Sequence, residues 1–174
     1  MAGVKTLADG NVQVRLFATK PANIKAITTT EWTAAEDISC KILYSDFDLG
    51  PTGSDTIDEK PLCVAGNAQA LGNTNVGGGF TVFRYFDPAT GLADEDDDSL
   101  WEVVKRKGET LLLGVSENGK KSTDARVTGD EYSFYEVVND DPQRGDRTGY
   151  IKYRVVLAPQ NWALNYNLVA PTGG

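Results

Sequence analysis

The run DEDDDSLWEVVKRKG, residues 94–108, decides how the rest of the chain is read. Asp94, Glu95, Asp96, Asp97 and Asp98 precede Leu100, Trp101 and Val104, which share one face at three- and four-residue spacing. Lys105, Arg106 and Lys107 follow, and Gly108 closes the run. Acids at the partially positive start, bases at the partially negative end and a glycine suited to a left-handed cap specify a helix starting near Asp97. The surrounding sequence reads as strands and turns. One amphipathic helix among strands predicts a mainly β fold, an α+β or β-sandwich layout, with Leu100, Trp101 and Val104 packed on a sheet.

On the N-terminal side, Val12, Val14, Leu16 and Ala18 alternate as one face of a strand over 11–18. Residues 24–30 are β-prone, and Thr33 and Glu36 have the spacing of a capping box for a short helical turn. Ile38, Cys40, Ile42 and Tyr44 alternate again. Residues 80–86 form a strong strand pattern, and Gly77–Gly79 before it reads as a flexible lead lacking the lysine of a phosphate loop. Beyond the helix, strands are expected over 110–116, 131–138 and 150–157, with a tight turn at Asn118-Gly119. Residues 140–147 read as a solvated hairpin tip and 162–170 as a last strand or an arm.

Residues 46–79 have a different texture. Glycines and prolines are frequent, while Leu49, Pro51, Ile57, Leu62, Val64, Leu71 and Val76 are scattered without a period. A disordered loop is one reading. An arm that orders against a partner is the other, because the apolar content exceeds that of a solvated linker. A short β-ribbon around 55–64 suits either.

Composition bounds the function. The 174 residues fit one domain, with enough chain to bury a core without staples. No apolar run is long enough to span a membrane, and the opening residues lack the apolar core of a signal peptide, so assembly in a cytoplasm is expected. The net charge of −8 disfavours nucleic-acid binding, which needs a basic footprint. Cys40 and Cys63 are expected reduced and buried. The chain contains no histidine, which removes the usual general base and the Ser-His and Cys-His nucleophiles. The acid pairs Asp46/Asp48, Asp58/Glu59 and Asp140/Asp141 read as solvated turn residues. No catalytic residue, cofactor or metal site is expected.

Five stretches together carry a family resemblance: 33–40 (TAAEDISC), 55–63 (DTIDEKPLC), 66–68 (GNA), 80–87 (FTVFRYFD), and the helix from Asp97 with the hairpin and 125–130 (ARVTGD) after it. In this order they resemble the major tail proteins, or tail tube proteins, of long-tailed bacteriophages, especially those of actinobacterial hosts. The resemblance implies a tail-tube-type β-sandwich or split barrel flanked by one helix, with the 46–79 segment as a long loop. It further implies a structural virion protein in six-membered rings, stacked into a tube that delivers the genome. Its partners would be itself and other tail proteins, with double-stranded DNA passing through unbound and no membrane involved. A tail terminator or head–tail joining ring is the neighbouring alternative, though such a ring has no use for a long stacking arm. A carbohydrate-binding β-sandwich using Trp32, Trp101 or Trp162 is a third reading, and a carboxylate-based hydrolase a fourth.

Overall fold

The computed structural model describes residues 3, 5–57, 62–63, 70–145 and 147–171. Val64, Pro61, the Asp58/Glu59 pair and the 66–68 motif lie outside the described residues.

The fold is mainly β. Its strands are β1 (Val12–Leu16), β2 (Glu36–Asp37), β3 (Gly50–Ile57), β4 (Ala70–Gly77), β5 (Gly79–Phe83), β6 (Thr110–Glu117), β7 (Glu131–Asn139), β8 (Gln143–Arg144) and β9 (Lys152–Asn167). Two short helices, α1 (Thr29–Ala34) and α2 (Ser99–Val104), lie among them. The main sheet runs β2-β1-β6-β7-β9-β5, with β8 also on β9, and its strand pairings are antiparallel. Strands β3 and β4 form a separate two-stranded ribbon.

Strand β9 organises the molecule. Its first part pairs with β5 on one side and β8 on the other, and its second part pairs with β7. The tail around Trp162 is therefore the second half of one long strand. Pro159 does not break it because it sits opposite Val137 at a register shift, where a missing N–H is tolerated.

Alternating side chains of β6 and β7 feed two cores. Leu111, Leu113, Val115, Tyr135 and Val137 join Val14, Phe80, Val82, Val155, Leu100 and Val104 on one face. Tyr132 and Phe134 join Phe17, Ile27, Trp32 and Leu168 on the other, with Leu112 packed against them. Trp32 and Phe17 cross β6 at Gly114, where an added Cβ would come within 2.7 Å of one ring and 2.8 Å of the other. Trp32 Nε1 donates to Gln13 Oε1 at 2.8 Å, which satisfies the polar groups of two fully covered side chains.

Several local expectations are corrected. The capping box is Thr28 with Glu31 rather than Thr33 with Glu36, and α1 starts accordingly. Residues 38–46 are not a strand but two 3-10 turns, Ser39–Lys41 and Tyr44–Asp46. Ile38 and Ile42 are buried, while Tyr44 and Cys40 are exposed. Cys63 is also exposed, so neither thiol is a core group. Strands β6 and β7 are joined by 118–130, which begins with the Lys120 N–H donating to Asn118 Oδ1 and ends at Gly129 with φ +94°. Gly78 and Gly79 are not a flexible lead. A Cβ at Gly78 would lie 2.3 Å from the Asp48 carbonyl oxygen, and one at Gly79 2.1 Å from that of Val155. Two backbones pass too close there for any side chain.

Candidate assembly surface

The sequence 94–108 forms less helix and more site than its pattern implies. Asp94 accepts from the N–H groups of Asp96 and Asp97, winding a turn before α2 begins at Ser99. Asp98 points inward instead of capping the helix. Its side chain is fully covered, and Arg84 donates to it from Nε at 2.9 and 3.1 Å and from the guanidinium end at 2.8 Å. The Tyr85 N–H adds a bond at 2.9 Å. Arg84 is held between rings, 4.5 Å from Trp101 and 4.9 Å from Phe86.

Leu100 and Val104 lie in the core, and Trp101 is half-buried against Tyr153 at 4.5 Å. At the far end Asn139 Nδ2 donates to the Val104 and Arg106 carbonyls, tying the helix to the end of β7. Gly108 takes φ +91° where the chain leaves.

The ribbon is the other distinct feature. Leu49 is buried in the core and anchors it, and Val76 packs against that core from β4. Asp48 accepts from the Gly79 N–H at 2.8 Å and from Arg154 at 2.7 Å. Arg154 also pairs with Asp46 at 3.3 Å. These bonds fix the base. Outward from it, Gly50 faces Gly77, Pro51 faces Val76, and Ile57 faces Ala70, with shifts of register between. Gly53 at φ +89° lies at one of the irregularities. Among the described residues the ribbon pairs with no other strand.

Of the scattered apolar residues, Leu49 and Val76 belong to the body and Pro51 to the exposed base. Ile57, Leu62 and Leu71 stand in solvent, Leu71 at 78% exposure. These three large aliphatic side chains on one projection join neither core among the described residues.

No helix is long and apolar enough to cross a membrane, and no group of acids and cysteines is placed to hold a metal, both among the described residues. Trp32 is wholly buried, and Trp101 and Trp162 pack against the core, so the three tryptophans make no exposed platform for a sugar.

A sequence model described as phage tail tube protein matches residues 1–172. The chain belongs to the phage tail tube protein family. It is thus a structural protein of the bacteriophage virion, located in the tail, in a family whose members associate with themselves and with other tail proteins. No individual curated protein matches the chain. For a tail tube chain the unpaired ribbon and its exposed aliphatic residues are the natural place to look for assembly contacts. The cluster of Arg84, Asp98 and Trp101 was not visible as a unit in the sequence. Asp98 reads as one more helix-dipole acid, and only the pairing of β5 beside α2 reveals its partner.

Proposed function

We propose that the chain closes into six-membered rings that stack into the tail tube of a long-tailed phage, assembled in the host cytoplasm, and that double-stranded DNA passes through the lumen without specific binding. The ribbon carries this reading. It is joined to the body at its base and displays Ile57, Leu62 and Leu71 to solvent. Covering each such side chain is worth about 1.5–3 kcal/mol, and a subunit that repeats along a tube recovers this at every copy. Tail terminators and joining proteins form single rings and have no corresponding use for such a projection.

Negative-stain electron microscopy of concentrated protein is the test. Tubes of uniform width, built from rings with six subunits in projection, are expected. A particle that remains monomeric across the concentration range would overturn the reading.

A further inference from the structure

Strand β5 ends at Phe83, and the chain beyond it builds one wall of a cleft. The cleft measures 490 Å³ and is lined by Cys40, Phe83, Arg84, Tyr85, Phe86 and Tyr150. Tyr150 is 79% exposed and stands edge-on to Phe83 at 5.9 Å. Phe86, Leu92 and Ile151 are exposed around it. The Asp87 N–H on the Leu92 carbonyl and the Arg84 N–H on that of Ile151 hold these residues at the same end of the sheet. None of the four belongs to either core.

The two flanks of the cleft carry opposite charge. On the β5 side the turn after Phe86 folds back, with Ala93 bridged to Phe86 and the Asp94 N–H donating to the Tyr85 carbonyl. Residues 87–97 hold five acids and no base, and Glu95, Asp96 and Asp97 are exposed. On the β9 side Tyr150 also lines a hollow with Arg144, Arg147 and Lys152. Residues 144–152 hold those three bases against Asp146. Neither the three exposed acids nor Arg144 and Arg147 form an ion pair among the described residues.

We propose that two copies meet face to face across this cleft about a two-fold axis. Phe86, Leu92, Tyr150 and Ile151 of each copy then lie against those of the other, and the acidic flank of each lies on the partner's Arg144/Arg147 flank. A two-fold set across the line joining the flanks brings acid onto base at both edges at once and covers the apolar middle. Side-by-side placement would pair one flank and leave that middle in water. Charge sets the register, and apolar burial holds it. An isologous contact is closed at two copies, so it is not the contact that repeats along a tube. The pair is a soluble reserve that opens before a copy joins the tube. That last step rests on the tube reading, and the pair itself does not.

Sedimentation equilibrium of the protein left in solution after tubes are pelleted is the test. A species of twice the 18.8 kDa chain is expected. Arg144→Glu with Arg147→Glu, and separately Glu95→Lys with Asp96→Lys, should each sediment as single chains at unchanged melting temperature. Mixing the two variants restores acid on base at both edges, so native mass spectrometry should show a pair holding one of each. Tyr150→Ser, which alters neither flank, should weaken the wild-type pair by at least about tenfold. Wild-type protein that stays a single chain, that grows past two chains without stopping at a pair, or a mixture that fails to pair would each overturn the contact. Tubes beside a purely single-chain pool would overturn the pair and leave the tube reading standing. Pairs in a protein that never forms tubes would do the reverse.

Discussion

At the residue scale, the acids that mark the helix on paper divide into two kinds. Asp94 shapes the turn before the helix, and Asp98 neutralises a guanidinium under aromatic cover. Removing one partner of a buried pair leaves the other charge uncompensated. Asp98→Ala should therefore cost about 3–5 kcal/mol, read as a fall in the denaturant midpoint. Loss of under ~1 kcal/mol would mean that water reaches Arg84. Trp101→Ala should cost about 2–4 kcal/mol, less than a fully buried tryptophan, because part of its ring is open.

The Thr28–Glu31 box gives a residue-scale pH dependence. Burial alone would raise the Glu31 carboxyl. Hydrogen bonds from the Thr28 N–H and hydroxyl and from the Ala22 N–H outweigh it and hold the group below its ordinary 4.5. The folded state then holds this proton less tightly than the unfolded chain. Its contribution is complete above the unfolded value and is lost as pH falls through the folded one. Melts between pH 6 and pH 3 should show a fall at the acid end that is shallower in Glu31→Gln. Equal slopes in the two proteins would show that the box adds nothing.

Elements differ in how readable they were. Strands β1, β5, β6 and β7 were legible from their β-prone apolar runs, although neighbouring residues of β1, β5 and β6 are buried together because cores cover both faces of the sheet. Residues 38–45 have a period of two, yet only Ile38 and Ile42 are buried. A spacing of four suits tight turns as well as a strand, and the hydrophobic pattern alone does not choose between them. Thr28…Glu31 and Thr33…Glu36 have the same capping spacing, and the former forms because it delivers Trp32 to the second core. Nothing local in the sequence carries that preference. The ribbon was legible as a segment with surplus apolar residues, but not in its pairing, which runs from Ile57 with Ala70 to Gly50 with Gly77 through two shifts of register. The hollow lined by Cys40, Phe83, Arg84, Tyr85, Phe86 and Tyr150 was illegible, since its residues meet only through the pairing of β5 with β9. Replacing 50–77 by a short Gly/Ser linker tests the ribbon as an element. The body should keep its cooperative melt, because among the described residues of this stretch only Val76 packs against the core, while tube growth should cease. Hydrogen exchange of the ribbon amides should slow on assembly, and strong, equal protection in free and assembled protein would contradict an assembly role.

For the whole molecule, the sign of the charge bears on the cargo. DNA carries about one negative charge per 1.7 Å of duplex, so affinity grows with every cation that can reach a phosphate. The chain has 25 acids against 17 bases, and many of the bases are locally occupied. Arg84 is paired with Asp98, Arg154 with Asp46 and Asp48, Lys120 with Asp130 and Lys41 with Glu36. Arg126 is buried and donates to the Lys121 and Asp124 carbonyls. Among the described residues Lys5, Lys25, Arg106, Lys121, Arg144 and Arg147 are exposed with no ion pair, and they are spread along the sequence rather than gathered in one run. The isolated protein should therefore hold double-stranded DNA weakly at low salt and release it at physiological salt. Filter binding across a salt series measures this. Tight, salt-sensitive retention by tubes would mean that cations line the channel, and a conduit with such walls would brake the genome it is built to pass.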